Sequence, residues 1–223
     1  MPFDFAVVAE AVPVLLRGLE VTAIVSVIGI PLGGLAGTLA AYAVQSRSRV
    51  LAGLARGYVA MVRNVPYLIL VYLSFFGLPK LGVPASAMAV AIGCTALYTG
   101  GYFCEILRAA LHSVPRGQSG AALSLGMSRW QVQRYIVAPQ LLGFLIPPTT
   151  SLVIMMFKDS AIFSVMSLPE MTYQSNLLTA NTFAYTEILA ATAAIYWASS
   201  VLLAAAGRSL EHLARRRWLS PQT

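Results

Sequence analysis

Charged side chains are scarce in this chain: only 10% of its 223 residues are Asp, Glu, Lys or Arg, whereas a soluble domain carries charges on about a quarter of its residues. A helix needs roughly 20 uncharged, mostly apolar residues to cross the hydrocarbon layer of a bilayer. The sequence has four long stretches without any charge, at residues 21–46, 81–104, 135–157 and 188–207. This pattern excludes a soluble globular domain and predicts an all-α, polytopic membrane protein.

Cysteine and histidine are equally scarce, with two of each. Cys94 and Cys104 are ten residues apart, which is about 15 Å along a helix and too far for a disulfide bond. Neither His112 nor His212 has a nucleophile and a carboxylate at the spacing of a catalytic triad, and no phosphate-binding lysine loop is present. We therefore expect no metal site, no cofactor in this chain and no enzymatic activity, which disfavours a membrane-embedded enzyme.

Five membrane spans are predicted within one domain that covers residues 1–223. The second span contains Arg56 and Arg63 near its start, and Pro147 with Pro148 is expected to kink or restart the fourth. Residues 1–20 are predicted to form a separate interfacial helix, and residues 167–183 an outer loop. The predicted spans are 21–44, 54–79, 85–107, 141–165 and 186–206.

The basic residues are distributed in a way that predicts orientation. With the N-terminus outside, twelve of the fifteen Lys and Arg residues fall on the inner side, and only Arg17, Lys80 and Lys158 do not. Inner loops of membrane proteins carry such an excess of positive charge. The net charge of +7 is therefore explained by topology, and we expect the lipid bilayer as a partner and no nucleic acid.

The first span contains Gly29, Gly33 and Gly37 at four-residue spacing. Small residues at this spacing lie on one helix face and allow a neighbouring helix to approach closely. We predict such a packing face. The alternative is that the glycines reflect only the general abundance of glycine in membrane helices.

The inner segment, residues 112–140, predicts two short helices on the cytoplasmic face. The first ends at Gly126, which is suited to a left-handed cap, and the second begins at Ser128, with Gln131 completing a capping box. Pro139 is expected to end the second helix. A surface helix pair joined by a Gly-Met-Ser corner is well shaped to dock on a soluble partner, although an ordinary amphipathic loop is the alternative.

This segment resembles the signature loop of ABC importer permeases. In that family, Glu-Ala-Ala is followed after three residues by Gly, and nine residues later by Ile, any residue, Leu and Pro. The family's loop inserts into a cleft of the ATP-binding subunit and couples ATP hydrolysis to transport. The sequence departs from the signature at Gly120, in place of glutamate, and at Ala138, in place of leucine. The candidate coupling residues are Gly120, Ala121, Ala122, Gly126, Ser128, Ile136 and Pro139.

Further motifs extend the resemblance over about 150 residues, in the order found in permeases of the polar amino-acid uptake family (type I importers). They lie at residues 17–22, 63–66, 75–79, 105–108, 113–118, 125–128 and 157–160.

The resemblance implies a membrane-spanning permease subunit of an ATP-driven ABC importer in the bacterial plasma (inner) membrane. It implies that a polar amino acid or related solute passes from a periplasmic or extracytoplasmic substrate-binding protein to the cytoplasm. ATP and Mg²⁺ would be bound by a separate ATP-binding subunit, and a second permease copy or a paralogue would complete the path. The alternative is a secondary transporter or channel subunit, which is disfavoured because no inverted repeat is evident and the inner loop would lack a role.

Two further groups of ionisable residues are candidates. Lys158, Asp159 and Ser160 lie near the outer end of the fourth span, where charges are costly and usually face a cavity or a partner. They are the candidate substrate path, and anchoring of the span near its outer turn is the alternative. Glu105 and Arg108 are predicted to form an (i, i+3) ion pair at the inner end of the third span.

Overall fold

The computed structural model describes residues 3–218, apart from the side chains of Arg116 and of residues 215–218. Every regular element in this range is helical, which confirms the predicted all-α class. The elements are α1 (Phe5–Val44), α2 (Arg49–Asn64), α3 (Tyr67–Tyr72), α4 (Ala87–Ser113), α5 (Arg116–Ser124), α6 (Arg129–Val132), α7 (Ala138–Asp159), α8 (Met171–Thr182) and α9 (Tyr185–Trp218).

The prediction of a separate interfacial helix at residues 1–20 is wrong, because α1 runs without a break from Phe5 to Val44. Asp4 caps its start by accepting a hydrogen bond from the Ala6 N–H at 2.8 Å. The early turns of α1 are held by tertiary packing, since Ala11 and Leu15 are buried in a cluster with Met171 of α8 and Ile188 of α9. The same buried face therefore continues from the outer turns into the span.

The predicted glycine face of α1 is confirmed, and it packs against α4. A Cβ atom built on Gly29 would lie 2.8 Å from the side chain of Thr95, and one built on Gly33 would lie 2.5 Å from that of Thr99. One built on Gly37 would lie 2.5 Å from the Gly100 carbonyl oxygen. Since the contacts advance in the same order along both helices, α1 and α4 run in the same direction.

A matched pair of substitutions tests this packing. Gly33→Ala is expected to lower the stability of the folded chain by about 1–3 kcal/mol, because the new methyl group meets α4 and overpacking costs about that much. Gly34→Ala is the control, since a Cβ there has no neighbour within 4 Å. Thermal unfolding in detergent measures both variants. Equal melting temperatures for the two variants would contradict close packing at Gly33.

The second span is bent, whereas the sequence predicted one continuous helix over 54–79. The segments Arg49–Asn64 and Tyr67–Leu81 meet at 111°. The break lies at Val65, which is extended with φ −96° and ψ 129°, because a residue before proline is disfavoured in the helical region and Pro66 has no N–H to donate. Because α1 and α4 run in the same direction, the chain between them must return across the membrane through this bent segment.

Four helices among the described residues are long and apolar enough to span a membrane by themselves, and the number is five when the bent pair is counted as one span. These are the spans that the sequence predicted, so the polytopic fold is confirmed. The core between them is a cluster in which Val25 of α1, Val71 of α3, Val90 of α4 and Met156 of α7 are buried together with Phe163.

The fourth span does not restart at Pro147 and Pro148, because both prolines lie inside α7. The Thr150 hydroxyl donates to the Ile146 carbonyl at 3.0 Å and the Ser151 hydroxyl to the Pro147 carbonyl at 3.3 Å. The predicted outer loop at 167–183 also requires correction, because most of it is the helix α8.

Candidate functional site

The corner between α5 and α6 has the geometry that its sequence predicts. Gly126 is left-handed with φ +85°, and the Met127 N–H donates to the Ala122 carbonyl at 3.2 Å across it. The Ser128 N–H donates to Gln131 Oε1 at 2.8 Å, and the Gln131 N–H donates to Ser128 Oγ at 3.3 Å. A helix end with a left-handed cap and a capping box therefore meet at a fixed corner.

The prediction that Pro139 ends the second helix is wrong. A π-helical turn, Gln133–Val137, leads from α6 directly into α7, so that Arg129–Met166 forms one helical run. Its wider turn is closed by an N–H···O bond from Ala138 to Gln133. Pro139 then lies in the first turn of α7, where a missing N–H is tolerated. The corner and the fourth span are thereby parts of one continuous helical run.

A small apolar cluster packs against the corner. Val114, Ala122, Val132 and Val137 are buried together, with Ile136 packed against them. The side-chain amide of Gln140 on α7 also donates to Gln118 Oε1 on α5 at 2.6 Å. These contacts pack α5 against α6 and the start of α7, so that residues 112–140 form one packed unit.

The exposed surface of residues 112–140 carries apolar and basic side chains. Leu125 is 85% exposed at the corner and Trp130 is 72% exposed beside it. Residues 112–140 contain no Asp or Glu. Among the predicted coupling residues, Ala122 and Pro139 are buried and Ile136 is half-buried, whereas the others are exposed: Gly120, Ala121, Gly126 and Ser128. Large apolar side chains presented on a rigid protrusion are typical of an interaction surface.

The candidate substrate-path residues lie at the C-terminal end of α7. Lys158 is exposed, Asp159 is half-buried, and Ser160 is buried with its hydroxyl donating to the Phe157 carbonyl at 2.7 Å. Lys158 and Asp159, both described in full, do not form an ion pair with each other. The Asp159 carboxylate lies within electrostatic range of the Tyr67 hydroxyl on α3 and the Tyr98 hydroxyl on α4.

Sequence reasoning missed this group of tyrosines. The ring centroids of Tyr67 and Tyr98 are 4.5 Å apart, and those of Tyr98 and Tyr102 are 5.0 Å apart. Tyr98, Tyr102, Glu105 and Arg108 recur at helical spacing and so share one face of α4. That spacing is the signal in the sequence that could have revealed a polar face in an otherwise apolar span.

The predicted ion pair at the inner end of α4 is confirmed. An Arg108 guanidinium nitrogen lies 2.5 Å from Glu105 Oε1, and an Arg63 nitrogen from α2 lies 3.7 Å from Glu105 Oε2. Arg63 also lies over the Tyr102 ring, at 6.0 Å from its centroid. Glu105 therefore joins the bend of the second span to α4.

Glu170 is a buried carboxylate that the sequence did not single out. It caps α8 by accepting from the N–H groups of Thr172 at 2.8 Å and Tyr173 at 2.7 Å, and it accepts from the Tyr196 hydroxyl at 3.4 Å. Burial raises the pKa of Glu170 to about 7, because these hydrogen bonds offset only part of the lost hydration.

This raised pKa predicts a pH-dependent stability. The folded chain keeps the Glu170 proton up to about pH 7, whereas an unfolded chain releases it near pH 4.5. Stability is therefore highest below pH 4.5 and falls as the pH rises through 7. Glu170→Gln keeps a capping oxygen and removes the titration. We expect the melting temperature in detergent to fall between pH 5 and pH 8 in the wild type and to fall less in the variant. If the melting temperature fell equally with pH in the wild type and in Glu170→Gln, Glu170 would not be the cause of the pH dependence.

The described residues offer a protruding helix corner between α5 and α6 and a polar face between spans, and no group of three or more His, Cys, Asp or Glu side chains among them is placed to hold a metal ion. Residues 29–217 match the family described as the inner membrane component of binding-protein-dependent transport systems. The chain belongs to this family.

Several relatives and one solved structure agree with this assignment. The chain is 31% identical to a probable amino-acid ABC transporter permease, YckA of Bacillus subtilis, over 88% of its own length and 87% of the relative. It is 30% identical to the glutamine transport system permease GlnP of Escherichia coli, over 95% and 97%. A crystal structure of an amino acid ABC transporter with histidines superposes with a TM-score of 0.86 and 29% identity, covering 97% of this chain and 100% of the other.

The family and the fold together establish the class of this protein. It is a permease subunit of an ATP-driven ABC importer and a multi-pass protein of the plasma membrane. The predicted resemblance to ABC importer permeases for polar amino acids is thereby confirmed.

Proposed function

We propose that this permease imports a polar amino acid, which a separate binding protein delivers and which ATP hydrolysis on a separate subunit drives inward. The substrate class is supported by relatives whose names specify glutamine and glutamate/aspartate. A second permease copy or a paralogue completes the path, because five spans are too few to enclose a gated route. The rigid corner at Gly126 is the observation that carries the proposal.

The ATP-binding subunit docks on the corner between α5 and α6. Leu125 and Trp130 are the exposed apolar anchors, and the motif residues shape the surface that carries them. Gly120 stands where the family signature has glutamate, so this face has no carboxylate to offer a partner. Because α6 continues through the π turn into α7, closure of the ATP-binding subunits would pull directly on the fourth span.

The substrate passes between Asp159 and the tyrosines on α3 and α4. A carboxylate beside Tyr67 and Tyr98 favours a cationic group, since aromatic faces and negative charge both attract ammonium. Lys158 is exposed one position away and is available to the carboxylate of a zwitterion. Ser160 positions the end of α7 through its bond to Phe157.

The subunit has its N-terminus outside. The basic residues of the inner segment support this orientation, although the side chains of Arg116 and Arg215–Arg217 lie outside the described residues. In a chain lacking Cys94 and Cys104, we expect a cysteine at Val83 to react with an impermeant thiol reagent from outside and one at Arg47 only from inside. Labelling of both cysteines from the same side would contradict this topology.

Co-purification tests the proposed assembly. The tagged permease, expressed with its ATP-binding subunit, is expected to retain that subunit on an affinity column. The variant Leu125→Asp, which places a charge on the exposed anchor, is expected to lose it, while the exposed Leu35→Asn on the distant α1 serves as the control. If both variants retained the ATP-binding subunit, the corner would not be its docking site.

A further inference from the structure

The three faces of α2 differ in chemistry. Ala52, Ala55, Val59 and Val62 are buried, and Ala55 and Val59 pack against the last turns of α1 and against Cys104 of α4. An apolar flank is exposed to the surroundings, with Val50 at 73% and Leu54 at 69% exposure. The other flank carries exposed arginines at seven-residue spacing, a two-turn repeat that keeps them on one face: Arg49, Arg56 and Arg63.

This amphipathic helix lies at the inner ends of its neighbours. Its buried face contacts Ala40, Ala41 and Val44 at the end of α1, and it meets the following span segment at 111°. Tyr58 packs against the same cluster, and its hydroxyl donates to the Leu97 carbonyl of α4 at 2.6 Å. In the orientation proposed above, the exposed apolar flank lies towards the hydrocarbon and the arginine flank towards the inner surface, as in interfacial helices.

A cavity of about 410 Å³ opens on the arginine flank, between α2, the end of α1 and α4. Its charged lining residues are Arg56, Arg63, Arg108 and Glu105. Glu105 is shared by Arg63 and Arg108, and Arg56 has no carboxylate within 4 Å among the described residues. Three guanidinium groups face one carboxylate, which leaves an excess of two positive charges, and the Asn64 side chain adds a polar group to the wall.

We propose that this cavity binds the phosphodiester headgroup of an anionic phospholipid of the inner leaflet. Guanidinium groups match phosphate oxygens in shape and charge, and basic pockets between spans on the cytoplasmic side accept anionic headgroups. Val44 and Val59 give the cavity an apolar wall, and the exposed apolar flank of α2 places the helix at the depth where headgroups meet acyl chains. The inference rests on the proposed orientation, and it is independent of which solute is transported.

Native mass spectrometry of the purified full-length chain tests the site. Phosphatidylglycerol is the probe, and phosphatidylcholine with the same acyl chains and inorganic phosphate are compared with it. We expect selective binding of phosphatidylglycerol, weakened about fivefold by Arg56→Gln, because this change removes a charge without leaving Glu105 unpaired. Arg208→Gln, an exposed arginine on α9, is the control and is expected to bind normally.

Three results would overturn the proposal: equal binding of the two lipids, equal weakening by both substitutions, or displacement of the lipid by millimolar inorganic phosphate, which would show a site for free anions. A second measurement uses only the wild type, in case the variant is unstable. Phosphatidylglycerol with a photoreactive headgroup is expected to label peptides from 49–64 or 101–108, and labelling confined to other peptides would contradict the site. Neither measurement involves ATP or transport, so a failure here is separate from a failure of the proposed function.

Discussion

Replacing Gly126 with valine is expected to abolish the stimulation of ATP hydrolysis by the binding protein and to reduce uptake to the background level. The residue has φ +85°, a conformation that a β-branched side chain adopts only with considerable strain. The bond from Met127 to Ala122 across the corner would be lost, and α5 and α6 would no longer meet at a fixed angle. Stimulated ATPase activity in proteoliposomes is the measurement.

Gly117→Val is the matched control for this experiment. Gly117 lies within α5, is exposed and has no positive φ, and a Cβ atom added there would have no neighbour within 4 Å. The same substitution at this position therefore leaves the corner intact. Both variants are expected to insert normally, because neither position lies in a span. Normal stimulation in Gly126→Val would argue that the corner does not transmit ATP-driven closure.

The variant Asp159→Asn is expected to weaken the apparent affinity for substrate in uptake about tenfold to a hundredfold. The substitution keeps the size of the side chain and removes its negative charge, and a charge-assisted hydrogen bond is worth about 1.5–3 kcal/mol. The affinity of the binding protein for the solute is expected to stay unchanged, because it is a separate chain in our proposal. The measurement is the half-saturation concentration and maximal rate of uptake, normalised to the amount of permease inserted in the membrane.

Asp159→Glu is the comparison variant, because it retains the carboxylate and should recover part of the affinity. The anchoring alternative makes a different prediction: less Asp159→Asn protein would reach the membrane, and each inserted copy would transport normally. An unchanged half-saturation concentration and maximal rate per inserted copy would exclude contact between Asp159 and the substrate.

The features that could be predicted from the sequence depend on local chemistry or on strong composition. Charge-free stretches indicated the spans, glycine spacing indicated the face that packs on α4, and the residues from Gly126 to Gln131 indicated the corner. Each of these signals acts within one or two helical turns, so the residues themselves carry the information.

The features that were missed depend on tertiary contacts. The outer turns of α1 join the span because Leu15 packs on α8 and α9, and no local signal distinguishes this from a separate interfacial helix. Pro139 was expected to be a helix end because the π turn that accommodates it is not evident from propensity. Pro66 does break its helix, yet the 111° bend that results there was not anticipated.

The residues of the candidate site, like the fold, could be predicted only in part from the sequence. Lys158, Asp159 and Ser160 stood out because charge is rare at membrane depth, whereas the tyrosines beside them have no such contrast in an apolar sequence. Glu170 lies in a segment that is polar for this protein, and only its burial against Tyr196 makes it distinctive.

ATP-dependent uptake by the reconstituted complex tests the central claim most directly. Proteoliposomes would contain this permease and its ATP-binding subunit, with ATP enclosed on the side of the coupling corner and the loaded binding protein on the opposite side. We predict that a labelled polar amino acid accumulates only when ATP and binding protein are both present, and that an ion gradient alone drives no uptake. Accumulation driven by an ion gradient without ATP would contradict the account and favour a secondary transporter.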